Sequence, residues 1–397
     1  MPVRVLVIHP RDPAAPTVGG IQTFLHDFVK YAPADFEISI AGTTRDRRAR
    51  PIGRMRTISV GGRTAKSMAL APSGGLPRTP LGLLAVLLAQ VRLRAAMLRG
   101  SSILQVHRPY RRVYLAGQRG PRVQFVHVDI RDWPGPSAWT QMQRMYSQFS
   151  DVALHEMART FVVNEPGAEI LRSKHPDVAE RIEFLPVWYD PATFSPADDA
   201  RRTRLRAELV PDGERLILFA GRLDAIKDPM LALEAFAALV GHDAAPPARL
   251  VIAGSGELRD GIQRRAVALG LSDRVHLLGD VARERLAEVM RAADLLLLTS
   301  QAEGGGPRVV LEALACGVPV VAPPVGDVRR TVEHMVDGWL FEDRTPQAVC
   351  TGMAWVLSQP RDAIGAAAIR AAAPYTAEQV LSRVYDAYRQ ITPGGRR

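Results

Sequence analysis

Glu303-Gly-Gly-Gly-Pro-Arg-Val-Val-Leu-Glu-Ala-Leu-Ala-Cys-Gly-Val-Pro319 reads as a loop, then a helix, then the approach to a buried strand over Val318–Ala322. The loop holds a carboxylate, Glu303, and three glycines, Gly304, Gly305 and Gly306, which leave backbone N–H groups open to a ligand. Pro307 suits the first helical position, where no N–H is needed. A second carboxylate, Glu312, follows on the new helix. The positive end of that helix faces whatever occupies the loop.

Working outward, the same alternation repeats. Leu216–Ala220, Leu250–Ala253, Val275–Leu278 and Leu295–Thr299 are short apolar runs. Amphipathic segments near 229–241, 257–269, 283–292, 308–316 and 327–335 lie between or after them. Continuous apolar strands joined by helices imply a parallel sheet covered on both faces. The first half shows a looser version, with strands expected at Val3–Ile8, Phe36–Ala41, Met55–Val60, Ile103–His107, Val123–Val128 and Thr160–Val163. The expected fold class is therefore α/β, two doubly wound Rossmann-like domains in series. Pro186, Pro191 and Pro196 mark the boundary, giving domains at 1–190 and 191–376 and a terminal helical segment at 377–397. Ligands of open α/β sheets bind beyond the carboxyl ends of the strands, so two such domains facing each other would form one cleft.

The chain of 397 residues carries a formal charge of +10, and its distribution is uneven. Residues 1–190 hold 26 Lys/Arg and 15 Asp/Glu, leaving the remainder about −1. Within 39–125 there are 17 basic residues against one acid, Asp46. Such a face favours an anionic membrane surface, nucleic acid or an anionic substrate; a solvated surface in an Arg-rich protein is the other reading. Leu81–Val91 is the most apolar longer run and is too short to span a bilayer. The N-terminal run reads as a first strand and lacks the features of a signal peptide. Two cysteines, Cys316 and Cys350, supply no disulfide framework or metal cluster and fit buried thiols in a reduced compartment.

Phe219-Ala-Gly-Arg-Leu-Asp-Ala-Ile-Lys-Asp-Pro229 ends a strand and opens a helix. Gly221 permits the turn, and Asp228-Pro229 reads as cap and first-turn proline. Arg222 and Lys227 beyond the strand end suit a diphosphate, one as a bidentate fork and the other as a point charge. With the loop at 303–306 they form an anchor for a sugar joined to a diphosphate. Gly254 and Gly256, in Ala253-Gly-Ser-Gly-Glu257, either serve the turn, with Ser255 capping the helix, or pass close to a nucleotide base. Gly19-Gly20 precedes an amphipathic helix at Ile21–Tyr31 whose N–H groups suit a phosphate or a sugar hydroxyl. His127 ends a strand and is followed by Asp129, Arg131 and Asp132; His107 has a similar setting with weaker support. No hydrolase triad order, zinc spacing, Walker loop or Asp-x-Asp metal–diphosphate motif appears, so no metal is expected.

Taken together these motifs resemble the retaining glycosyltransferases of the GT-B fold, family 4. The resemblance covers nearly the whole chain and is strongest from Leu216 to Phe341, including Val-His-Leu-Leu-Gly, Gly326-Asp327 and Asp337-Gly-Trp-Leu-Phe341. It implies transfer of a sugar from a nucleoside diphosphate to a hydroxyl acceptor with retention of configuration. It assigns Arg222 and Lys227 to the diphosphate, Glu312 to the ribose, and Glu303 with the Gly304–Gly306 backbone to the transferred sugar, with Pro307 and Arg308 among the donor-binding residues. It places His127 at the sugar, Gly20 near the diphosphate or acceptor, and Gly19, Asp129 and Arg131 on the acceptor side. The last helix, about Ala377–Ile391, would cross back onto the first domain. Two departures stand out. Eight residues, where the family usually has seven, separate Glu303 from Glu312, and Pro186-Val-Trp-Tyr-Asp190 replaces the family's Pro-Asn-Gly-Val-Asp.

The acceptor expected from the basic first half is a lipid-linked or otherwise anionic glycan precursor, as in envelope biosynthesis, reached by a cytoplasmic protein peripheral to the inner membrane face. Two other classes remain open on sequence: an NDP-sugar epimerase of the same architecture, and a basic nucleic-acid-binding protein. The last lacks any stacking set, with aromatics at 6%.

Overall fold

A computed structural model of the chain describes residues 2–9, 11–15, 20–73, 91, 103–107, 120–127, 154–242 and 246–392. Gly19, Asp129, Arg131 and all of the Leu81–Val91 run except Val91 lie outside these residues. The chain divides into two compact units, Met1–Pro186 with Glu378–Arg397, and Val187–Ala377.

The first unit is built on an eight-stranded sheet of β1 (Val3–Ile8), β2 (Phe36–Thr44), β3 (Met55–Val60), β4 (Arg63–Pro72), β5 (Ile103–Val106), β6 (Arg122–Val126), β7 (Arg159–Val162) and β8 (Ile182–Phe184). Their order is β3-β4-β2-β1-β5-β6-β7-β8. Val5, Leu6 and Val7 are all buried, as a central strand covered on both faces requires. The sheet is parallel except at its edge, where β3 and β4 pair antiparallel through Gly61-Gly62. That hairpin departs from the expected pattern. The first half of β4, Arg-Thr-Ala-Lys, is polar and largely exposed, so it lacked an apolar signature; the two-residue Gly-Gly turn was the available signal.

Helix α1 (Gly20–Lys30) packs in this unit, and so does the last helix. Tyr385 of that last helix stacks on Phe28 at 5.1 Å, and Arg389 holds Asp35 through two bonds of 2.9 Å. Helix α2 (Glu165–Lys174) is capped by Asn164, which accepts from Gly167 N at 2.6 Å.

The second unit holds six parallel strands, β9 (Arg215–Ala220), β10 (Ala248–Ala253), β11 (Val275–Gly279), β12 (Leu295–Leu297), β13 (Val320–Ala322) and β14 (Gly338–Leu340), in the order β11-β10-β9-β12-β13-β14. Its helices are α3 (Asp199–Ala207), α4 (Pro229–Val240), α5 (Arg259–Ala268), α6 (Arg283–Ala292), α7 (Arg308–Ala315), α8 (Val328–Thr331), α9 (Pro346–Ser358) and α10 (Arg361–Ala372), and α11 (Ala377–Ile391) ends the chain. Strand residues alternate between two apolar layers. Ile217, Leu295, Leu297 and Val321 pack with α4, α5 and α9. Leu216, Leu218, Leu296 and Val320 pack with α6, α7 and α10. Truncating one of them to Ala would cost about 2–5 kcal/mol.

The helix expected near 327–335 is one turn, because the chain reverses at Met335, whose φ is 63° and whose N–H bonds Gly338 O at 2.8 Å. Cys316 and Cys350 are buried free thiols, and burial pushes Cys316 up to about 12. Among the described residues no helix is long and apolar enough to cross a membrane.

Candidate functional site

In the second unit the strand order turns around between β9 and β12: the chain lays β10 and β11 on one side and β13 and β14 on the other. Adjacent loops diverge at such a point and leave a crevice at the carboxyl edge. The loop after β9 carries Arg222 and Lys227, and the loop after β12 carries Glu303. Their backbones are stitched together. Gln301 N donates to Ile226 O at 2.7 Å, and Thr299 Oγ1 donates to Lys227 O at 3.1 Å and Asp228 O at 2.8 Å. As a result Lys227 Nζ sits 2.5 Å from Glu303 Oε1, with the two side chains 20% and 11% exposed.

Arg222 takes a different position. Its side chain is 65% exposed and its Nη1 lies 3.0 Å from Asp224 Oδ2. Asp224 also accepts from Lys227 N at 3.0 Å, so one carboxylate shapes the whole turn. Asp228 caps α4 as expected, accepting from Leu231 N at 3.2 Å, but does so from a left-handed backbone with φ 48°. Arg344, beyond β14, locks this arrangement. It donates to Asp228 Oδ2 at 2.8 Å, to Thr299 O at 2.7 Å and to Ser300 O at 3.0 Å. Sequence reasoning missed Arg344 because β14 is only three residues long.

Gly254 and Gly256 press on the turn after β9. A Cβ at either position would overlap the carbonyl of Gly221 or Leu223, and their φ values are +145° and +158°. Leu223 N donates to Ser255 O at 2.9 Å, and Gly221 N to Ala253 O at 3.0 Å. These contacts fix the backbone on either side of Arg222. Ser255 does not cap the following helix, as one reading had it. Its hydroxyl bonds Asp280 Oδ1 at 2.6 Å, and the N-cap position belongs to Leu258.

The glycine loop packs inward on the same edge. Gly305 is buried, its carbonyl lies against Gly326, and a Cβ on Gly306 would come within 2.6 Å of Val187 Cγ2. Pro307 is the N-cap of α7 rather than its first helical residue, and its φ of −68° with ψ 113° turns the chain into the helix. Arg308 leans on Trp188, its guanidinium 4.5 Å over the ring and its Nη1 donating to Trp188 O at 3.0 Å. Glu312 is buried on α7, its Oε1 3.8 Å from Arg283 Nη2, and Arg283 Nη1 lies 4.0 Å from Asp190 Oδ2. Tyr189, in the linker that departs from the family pattern, sits in an isolated bridge with Thr376: its N–H bonds Tyr375 O at 3.0 Å.

In the first unit the strand order turns around between β1 and β5. His9 follows β1, His107 follows β5 and His127 follows β6 at the carboxyl edge. His107 Nδ1 is 2.8 Å from His127 Nε2, and the rings stack at 5.1 Å. Burial above all, then His127 and His9, pushes His107 well below the usual histidine value; burial also lowers His9. Gly20 is the exposed first residue of α1, and nothing lies within 4 Å of an added Cβ there. Among the described residues no group of three or more His, Cys, Asp or Glu is arranged to hold a metal ion.

The sequence profile of the family described as glycosyl transferases group 1 matches residues 201–372. A D-inositol 3-phosphate glycosyltransferase of Frankia alni is 36% identical over 219 residues, 53% of each chain. One of Nocardiopsis dassonvillei is 30% identical over 306 residues, 70% of this chain and 69% of that protein. The chain spans about half the length of the first curated relatives it matches. Among solved structures, sucrose-phosphate synthase from Thermosynechococcus elongatus superposes with a TM-score of 0.76 over 98% of both chains at 21% identity. Anabaena HepE in complex with UDP and glucose gives 0.74 over 98% of this chain and 100% of that one at 17% identity. These two likenesses are of fold, and that fold is GT-B.

Proposed function

The chain belongs to the glycosyl transferases group 1, and we propose that it moves a sugar from a nucleoside diphosphate to a hydroxyl acceptor with retention of anomeric configuration, without a metal. The observation that carries this reading is the Lys227–Glu303 pair at the point where the strand order of the second unit turns around. A cation and a carboxylate in contact there are partly redundant until a ligand separates them. A donor diphosphate takes Lys227, and the released Glu303 accepts hydrogen bonds from the sugar hydroxyls. Arg222, exposed on the same loop, adds a second cation. As the glycosidic bond breaks, charge grows on the leaving phosphate, and both cations stabilise it. That phosphate accepts the acceptor's proton in a same-face attack. Glu312, buried and held near Arg283, is the group for the ribose hydroxyls. His127, at the carboxyl edge of the first unit's sheet, is a hydrogen-bonding group for a sugar. HepE was crystallised with UDP and glucose, which supports a uridine donor as the first to try.

The test is a thermal-shift screen of UDP, GDP and ADP with their sugars, followed by acceptor-dependent release of the nucleoside diphosphate. A ligand at a hundred times its Kd stabilises by about 2.7 kcal/mol, a readily measured shift. No shift with any of them sinks the reading. Arg45, Arg47, Arg48, Arg54 and Arg56 are exposed on the first unit, which supports an anionic acceptor, lipid-linked or free. Flotation with anionic phospholipid vesicles at physiological salt separates these: no binding leaves a free acceptor, and binding supports a peripheral membrane protein.

A further inference from the structure

We propose that Gln105 and His107 are positioning residues that hold His127 in the tautomer protonated on Nδ1. The inference rests on the glycosyl-transfer reading only for what His127 meets, a sugar hydroxyl or ring oxygen.

The chain of bonds is directional. Tyr388, on α11, donates its hydroxyl to Gln105 Oε1 at 2.7 Å. That leaves the amide nitrogen of Gln105, which is a donor only, 2.9 Å from His107 Nε2. His107 Nε2 therefore accepts, and a neutral imidazole that accepts there carries its proton on Nδ1. His107 Nδ1 is 2.8 Å from His127 Nε2, so His127 Nε2 accepts in turn. A neutral His127 then carries its own proton on Nδ1 and offers a donor from that side. A proton added to His127 Nε2 would confront the Nδ1–H of His107, so the same relay opposes the imidazolium.

The relay has little room to reorient. Gln105 is 0% exposed and His107 4%. His107 is wedged between Phe24, edge-on at 4.9 Å, and Phe125, stacked at 5.3 Å. Burial favours the neutral His107 that the relay needs, because charging it would leave an ion in an apolar enclosure. A hydrogen bond to the far nitrogen is the general means by which proteins choose a histidine tautomer. His107 and His127 follow neighbouring strands, β5 and β6, so their spacing comes from the sheet itself.

The experiment is two-bond proton–nitrogen NMR on histidine-labelled protein, with Gln105→Glu as the variant. Wild-type His127 is expected with a protonated Nδ1 and a bare Nε2. In Gln105→Glu a carboxylate acceptor replaces the amide donor, so neutral His107 is expected to shift its proton from Nδ1 to Nε2 and donate it to that carboxylate. His107 Nδ1 then accepts, and His127 is expected to switch to Nε2–H. In the transfer assay kcat falls about tenfold while donor KM changes less than about twofold, the pattern of lost positioning rather than lost binding. Wild-type His127 protonated on Nε2, or a His127 pattern unchanged in Gln105→Glu, overturns the proposal. If the variant does not fold, the wild-type spectrum decides alone. A tautomer switch in a protein that transfers no sugar keeps the relay and rejects the glycosyl-transfer reading.

Discussion

Lys227 Nζ and Glu303 Oε1 are in contact at 2.5 Å although 75 residues separate them in the chain. Each stands on the loop that follows a neighbouring strand, with Leu218 of β9 paired to Leu296 of β12. The eighth residue between Glu303 and Glu312 therefore does not keep the carboxylate from the cation.

The pair makes opposite predictions for its two members. Lys227→Ala is expected to lower kcat about a hundredfold or more with little change in acceptor KM, since the charge on the leaving phosphate loses a partner. Glu303→Gln is expected to strengthen binding of free UDP about threefold to tenfold, because Lys227 no longer has a competing carboxylate, and to lower turnover of UDP-sugars. Calorimetric UDP affinity beside steady-state rates checks both. Weaker UDP binding by Glu303→Gln would sink the exchange of partners.

Glu312→Gln keeps the shape of the side chain and removes the charge. If the carboxylate holds two ribose hydroxyls, nucleotide Kd should rise about tenfold to a hundredfold, the usual worth of hydrogen bonds to a charged acceptor. A 2′-deoxyribose donor should discriminate poorly against the variant. Equal losses for ribose and deoxyribose donors would place Glu312 elsewhere.

Arg344→Ala removes a guanidinium that bonds Asp228, Thr299 and Ser300 at once. The expected cost is about 2–4 kcal/mol of stability, read by urea unfolding, together with lower turnover because the Lys227 loop loses its brace. Retained turnover at wild-type level in the folded variant would show that Asp224 and Thr299 hold the loop without it.

Asp337 is 3% exposed, and burial raises its carboxyl to about 6, with Glu333 adding to the shift and the bond from Glu333 N opposing it. A folded value above the free value means that ionisation opposes folding. This contribution to stability is therefore present at pH 4 and is lost as pH rises through about 6. Asp337→Asn keeps the acceptor for Glu333 N and should stabilise the protein by roughly 2 kcal/mol at pH 7 and much less at pH 4. Equal melting shifts at both pH values would refute it.

Much of the second unit was legible because its strands are uninterrupted runs such as Leu216–Ala220 and its turns hold Gly, Asp and Pro at points of constrained backbone. Helix α4 begins at Pro229 behind Asp228, as read. β4 and β14 were not legible. One begins as a polar, solvated strand, and the other is three residues inside a turn-rich stretch. Arg308 was read as a donor-binding residue, and its place over the Trp188 ring was not legible, because that ring lies far away in the chain.

The sequence by itself determined the alternation of strand and helix, the family, and which side chains stand beyond strand ends, because these follow from hydrophobic period and turn chemistry within a few residues. Only the tertiary structure decided which of those side chains meet. Lys227 turned to Glu303 and Arg222 to Asp224, and Gln105, His107 and His127 were joined into one relay. Those choices depend on strand order and register, set by packing between segments far apart in the chain, and no local run of residues contains them.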